Sequence, residues 1–321
     1  MLVTALVTAC GSSDGAPTSL PGCPDGQVVR SAAELTEALS SAAPGDTILI
    51  APGRYAGTFV ADSSGTAERP ITLCGTAASV LDAGTTEQGY TLHLDGADHW
   101  RISGMTLRAG AKGLMLDGSS DNEISSVSVE DVGEEAVHLR TGSSRNVLEG
   151  LQVSGAGLRA SDRGEGIYIG SAQSNWCKLT DCEPDRSDDN QLIDNRIEGT
   201  TAEAIDIKEG ASGGVLRGNR LDGRAAASAD SLIDVKGNGW TIGGTVGTSA
   251  PEIGAAVFEI LPGWGKQNVF EGNRFEVPSG GWAIKVFGQA RAGRNVVQCS
   301  NVAAVDGVET RARVTPEGCT D

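Results

Sequence analysis

One short pattern returns down this chain, roughly every 22 to 30 residues. Two aliphatic residues flank one outward position, and a turn rich in Gly, Ser and Asn follows. The pairs run Leu92-His93-Leu94, Leu114-Met115-Leu116, Val137-His138-Leu139, Ile167-Tyr168-Ile169, Ile205-Asp206-Ile207, Ile233-Asp234-Val235 and Ile284-Lys285-Val286. A second series trails them: Asn122, Asn146, Asn190, Asn268 and Asn295 each precede a short aliphatic strand. Alternation of period two marks strands, and its recurrence at this length marks a solenoid. No helical periodicity is long enough to carry one strand back beside the next. The expected fold is therefore all-β: a parallel β-helix whose coils stack with their strands in register. In such a fold each outward mid-strand residue joins a column, so residues distant in sequence become neighbours.

The repeat occupies residues 70 to 300 without a linker, which predicts one elongated domain over residues 23–321 behind a leader and tether at 1–22. Gly at 45 residues and aromatics at 4% suit tight turns around a narrow aliphatic core. The formal charge of −17 lacks the basic footprint that phosphate binding requires, so no nucleic-acid partner is expected. An anionic polysaccharide would need a local basic patch or a bridging cation.

Leu2 to Ala9 is an apolar run too short to span a bilayer. Ending at Val7-Thr8-Ala9-Cys10, it resembles the lipobox of bacterial lipoproteins, with Gly11 to Gly15 as a tether. That resemblance implies membrane attachment only through a lipid on Cys10. The alternative is an ordinary secretory signal with Cys10 incidental. Either reading expects an extracytoplasmic protein, taken as a monomer. Of seven cysteines, six remain for disulfides in an oxidising compartment. Proximity favours Cys177 with Cys182 and Cys299 with Cys319, which leaves Cys23 with Cys74.

Ser31 to Leu39 reads as a short amphipathic helix with a serine cap and Glu34 three residues on, suited to closing the open end of a solenoid core. Asp46 to Ile50 reads as a strand, Pro52 to Tyr55 as a turn, and Ala172 to Asp189 as a polar loop interrupting the rhythm. Residues beyond Asn301 are expected to cap the other end. The segment "SAAELTEALSSAAPGDTILIAPGRYAGTF" resembles the entry of β-helix proteins of the pectin-lyase-like superfamily, which implies a right-handed coil.

The densest polar cluster spans two consecutive rungs, Glu203 to Lys208 and Ser231 to Lys236. Aligning the aliphatic pairs stacks Asp206 on Asp234 and Lys208 on Lys236, about 4.8 Å apart. Glu165 then aligns with Glu203 and Tyr168 with Asp206, while Glu135 and His138 extend the columns one coil further. Stacked carboxylates repel unless a counter-charge intervenes. Either the lysines neutralise them in a salt-bridge lattice, or the carboxylates hold a hard cation such as Ca²⁺.

The run "AEAIDIKEGASGGVLRGNRLDG", with "SLIDVKGN" one coil on, is similar to the catalytic stretch of polysaccharide lyase family 6, the alginate and chondroitin-type lyases. The resemblance implies Glu203 as a Ca²⁺ ligand, with Glu165 from the rung before, Lys208 as a base, and Lys236 where the family usually places arginine. Thr201 stands where the family usually has a second acid. A lyase on an acidic, uronate-containing polysaccharide would use Lys208 with a lowered pKa at C5 and take the leaving-group proton from Lys236 or Tyr168. Asp206, Asp234, His138 and Trp264 are the expected substrate contacts, with His93 and His138 exposed on their strands. Two other classes fit the same residues: a non-catalytic carbohydrate-binding surface lipoprotein, and a glycoside hydrolase or epimerase. Asp188-Asp189, directly before Asn190, reads as turn chemistry.

Overall fold

The alternating pairs do form strands, and the strands stack. In the computed structural model, which describes residues 20–321, three parallel sheets run the length of the chain. Two hold eleven strands and one holds nine, and each central turn contributes one strand to each sheet. All pairings between coils are parallel; Val302–Val305 and Val308–Thr310 form one antiparallel pair at the C-terminal end. The proposed leader, tether and Cys10 lie largely or wholly outside the described residues.

The nine-stranded sheet carries the expected columns in the expected register. His138 pairs with Tyr168, Tyr168 with Asp206, and Asp206 with Asp234. Inward residues such as Leu114, Ile167, Ile205 and Ile233 are fully buried in one continuous aliphatic core. A second ladder runs through the asparagines. Asn146 accepts from Asn122 Nδ2 at 2.9 Å and donates to Asn190 Oδ1 at 3.1 Å and to the Ser119 carbonyl at 3.0 Å. Each turn thereby satisfies buried backbone groups with an amide from the next coil. Asn195–Asn219 and Asn273–Asn301 repeat the device at a second corner.

The helix Ala32–Ser40 (α1) closes the N-terminal end. Ser31 Oγ accepts from the Glu34 amide at 3.2 Å, Glu34 reaches back to the Arg30 amide, and Leu35, Ala38 and Leu39 cover the core. At the other end, Ala283 and Ile284 donate to the carbonyls of Arg313 and Val314. Cys23–Cys74, Cys177–Cys182 and Cys299–Cys319 are bonded. The stretch expected to turn at Pro52–Tyr55 contains instead the strand Gly53–Ala56, which pairs with Ser79–Asp82. The polar loop holds a short helix, Gln173–Leu179 (α2).

Candidate active site

Three outward columns of the nine-stranded sheet meet over the coils of Val137–Arg140, Ile167–Ile169, Ile205–Ile207 and Ser231–Val235. The first column runs Lys112, Glu135, Glu165 and Glu203, the second His138, Tyr168, Asp206 and Asp234. The third begins where the strands end, with Arg140, Gly170, Lys208 and Lys236. Gly170 adopts φ +79°, and a Cβ there would sit 3.4 Å from Lys208 Cβ. The left-handed backbone turn favours glycine here, while a Cβ would make only ordinary contact with Lys208.

Asp206 is the hub. Its Oδ2 lies 2.6 Å from Lys208 Nζ and its Oδ1 2.7 Å from Lys236 Nζ, and it is 2% exposed. Lys236 also reaches Asp234 Oδ2 at 2.8 Å, and Asp234 Oδ1 accepts from Ser231 Oγ at 2.6 Å. The stacked aspartates are thus held apart by ammonium groups. Burial opposes ionisation of Asp206, but Lys236 and Lys208 overcome it and hold the carboxyl below its usual range. Burial likewise opposes the charge on both lysines, and Asp206 outweighs it, so each pKa lies above the ordinary lysine value.

This geometry corrects four expectations. The mid-strand positions are not exposed: His138, Tyr168, Asp206 and Asp234 are all buried, because side chains one coil apart cover one another. His93 is half-buried and bonded to Asp117 at 3.0 Å. Lys208 is not lowered in pKa, since its nearest charge is a carboxylate. Asp206 and Asp234 have their oxygens committed to lysines and to Ser231, which leaves them poor contacts for a sugar.

Glu165 and Glu203 have no such partners. Burial, then Asp206 and Glu135, push Glu165 up to about 8. Burial, then Asp206 and Asp234, push Glu203 up to about 7. Glu165 Oε2 is buried without any hydrogen-bond partner among the described residues. Oxygens of Glu165, Glu203 and Asp206 lie within 4.8 Å of one another, as do those of Glu203, Asp230 and Asp234. Hard oxygen donors, one of them orphaned, suit a cation such as Ca²⁺.

Beside this cluster opens a cavity of about 460 Å³. Glu165, His138, Tyr168 and Lys208 line it, whereas Lys236, Asp206 and Trp264 do not. Trp264 lies instead near Arg186, whose guanidinium is 5.9 Å from the ring. Lining residues that went unread in the sequence are Lys112, Arg140, Arg163 and Lys178, interleaved with Glu134, Glu135 and Asp162. Lys112 and Arg163 are ion-paired to Glu134 and Arg140 to Asp117. Lys112 opens its strand in the Glu135 column, so extending that column would have found it. Arg163 lies in the 3₁₀ turn Ser161–Arg163 and Lys178 in α2, both too short to leave a periodic signal. The wall bearing Lys178 is fixed by Asp185, which is fully buried. Asp185 accepts from the amides of Thr141 and Gly142 and the hydroxyls of Ser171 and Ser187. Glu209, next to Lys208, caps α2 by accepting from the Gln173 amide at 2.8 Å. Asp188 and Asp189 serve a turn, as expected: Asp188 accepts from the Ser212 amide and Asp189 adopts φ 59°.

A coil of this kind, with its chemistry on one parallel sheet, defines a class. Residues 85–304 match the family model described as a right handed beta helix region, and the chain belongs to that family. Among solved structures it is similar to an alginate lyase from Paenibacillus sp. str. FPU-7. The two are 31% identical over 86% of this chain and 94% of that one, with a TM-score of 0.78. A pectate lyase superposes with a TM-score of 0.64 at 16% identity, covering 89% of this chain and 75% of that one. A surface protein and adhesin of Streptococcus pneumoniae does so with 0.64 at 14%, covering 86% and 80%. These last two share the fold alone. No curated protein matches the sequence.

Proposed function

We propose that this protein is a lyase that cleaves a uronate polysaccharide, of the alginate type, by β-elimination. The observation that carries the reading is the Asp206-anchored Lys208 beside Tyr168 at a cavity lined by both cations and acids. The alginate lyase at 31% identity supports the choice of substrate. The three disulfides support an oxidising compartment outside the cytoplasm. Among the described residues no helix is long and apolar enough to cross a membrane.

The cavity cations pair with uronate carboxylates and thereby make the proton at C5 more acidic. Lys208 rests as an ammonium beside Asp206 and acts only in the minor fraction that has lost its proton to solvent. That neutral amine takes the C5 proton, the C5 electron pair forms the C4–C5 double bond, and the C4–O bond breaks. Tyr168 gives its phenolic proton to the leaving oxygen; burial and Asp206 raise its pKa well above the ordinary value and keep it protonated until then. The Lys208 ammonium, 4.9 Å from the Tyr168 ring centre, then restores the phenol through solvent. Lys236 does not reach the cavity, and its part is to hold Asp206 in place. A bound Ca²⁺ would be held by Glu165 and Glu203, the two acids without a lysine partner among the described residues, and would supply further positive charge to the uronate.

The test is the ultraviolet absorbance of unsaturated uronate on alginate, pectate, glucuronan and chondroitin, with calcium and with chelator. Absorbance that rises on alginate and is lost in Lys208→Ala supports the reading. A flat trace across the panel sinks it and leaves a carbohydrate-binding protein whose Asp–Lys columns are a salt-bridge lattice.

A further inference from the structure

His138 lies in the cavity wall two coils before Asp206, about 10 Å away along the coil axis. Its Nε2 is 3.0 Å from the Gly170 carbonyl oxygen, which can only accept, so Nε2 carries the hydrogen. That leaves Nδ1 as a bare lone pair. Nδ1 is buried and has no hydrogen-bond partner among the described residues, and His138 is 5% exposed. The nearest acid is Glu135, whose Oε1 stands 3.7 Å from Nδ1 while its Oε2 is engaged by Lys112. A separation of 3.7 Å is too long for a hydrogen bond, and both atoms are acceptors. Burial holds His138 down to about 4, so the ring stays neutral at ordinary pH. The Tyr168 ring packs edge-on against it at 4.5 Å and fixes its orientation.

His138 Nδ1 is a buried acceptor for which the described residues supply no donor, and Glu135 Oε1 stands beside it as a second acceptor. Neighbouring hydroxyls of a pyranose ring supply donors, one O–H to each acceptor. Carboxylates, ester carbonyls and sulfate esters are acceptors only and meet both atoms unfavourably. We infer that His138 Nδ1 and Glu135 Oε1 read the free vicinal hydroxyls of a sugar unit next to the reacting one, and that the protein discriminates against uronans O-acylated or O-sulfated there. The inference rests on the proposed lyase reading for its substrate and adds the substitution pattern that substrate must have.

The experiment compares one uronan in its free and chemically O-acetylated forms with the wild type, His138→Ala and His138→Asn. The wild type is expected to lose at least 100-fold in kcat/KM on acetylation, about the penalty of leaving both acceptors unpaired. His138→Ala should lose about tenfold on the free polymer, mainly in KM, the size of one hydrogen bond. It should also discriminate less between the two forms. His138→Asn, which offers an amide oxygen, should recover part of the loss. Thermal melting of each variant separates misfolding from lost recognition. Equal wild-type rates on both polymers, or an equal loss on both in a folded His138→Ala, overturns the inference while leaving the lyase reading intact. If the wild type cleaves neither, the lyase reading fails. Calorimetric titration with free and acetylated oligouronates then decides the hydroxyl site, and equal affinities reject it.

Discussion

Replacing Asp206 with Asn tests the centre of the site, because it removes one charge and almost no volume. In the folded protein Lys236 keeps Asp234 at 2.8 Å, but among the described residues Lys208 has no other carboxylate at ion-pair distance. Removing one partner of a buried ion pair costs about 3–5 kcal/mol, chiefly through the charge left behind. Lys208 borders the cavity and can turn toward solvent, so the lower figure, about 3 kcal/mol, is the expectation. In a chain of this size that is roughly 6 °C in melting temperature. The pH dependence follows from the signs. Asp206 is lowered in the folded state, so its contribution is present above the unfolded carboxyl value and fades as pH falls through the folded one. The lysines are raised, so theirs is present below the unfolded lysine value and is lost as pH climbs through the folded one. The deficit of Asp206→Asn should therefore be greatest from about pH 5 to pH 10 and shrink on the acid side. Activity should move as well. If Lys208 is the base, the wild-type rate climbs with alkaline pH as the neutral amine grows, and the variant's profile shifts acidward. Melting curves across pH, pH–rate profiles and the double mutant Asp206→Asn/Lys208→Met measure this, the last recovering much of the stability. A variant as stable as the wild type, with an unmoved profile, would refute the hub.

Glu165→Gln should be close to neutral near about pH 5 and stabilising near about pH 9. Glu165 has a raised pKa, so the wild type loses stability as pH rises through about 8, whereas the glutamine does not titrate; melting temperature against pH checks this. Asn146→Ala should destabilise by about 2–4 kcal/mol in denaturant titrations, since it strips the partners from several buried groups of the amide ladder. Lys178→Glu should raise KM for the polysaccharide several-fold, with little change in melting temperature, because the side chain faces the cavity from an exposed helix. Chelator should lower the melting temperature near neutral pH if a cation is held by Glu165 and Glu203; calorimetry with added calcium measures its affinity.

The register was legible because period-two alternation leaves no freedom: once Ile205 and Ile233 are both placed in the core, Asp206 must stack on Asp234. Rungs without that contrast escaped. Ile253–Val257 forms a full strand, yet Gly254, Ala255 and Ala256 give no apolar-polar alternation, and the coil between Asp234 and Lys285 went unread. Burial was misjudged for a different reason. Whether Asp206 meets water depends on Lys208 and Lys236 folding over it, which is a property of two coils together. The helix α2 was invisible because its cap comes from Glu209, a whole coil away, and only Trp176 among its residues is buried. Lys178, in its last turn, is hidden with it.

A cleft holding cations as well as acids, set in a body of formal charge −17, also has a kinetic consequence. Far from the surface a polyanion meets repulsion; only inside the cleft does it meet Lys178 and Lys208, together with Lys112 and Arg163 shared with Glu134. The Debye length is about 8 Å at physiological ionic strength, enough to mute the distant acids while largely sparing contacts inside the cleft. Moderate salt should therefore speed capture of a charged polymer, and only higher salt should loosen its grip. Such a protein would work best in brackish rather than fresh surroundings, tuned by ionic strength through the mismatch between its surface and its cleft.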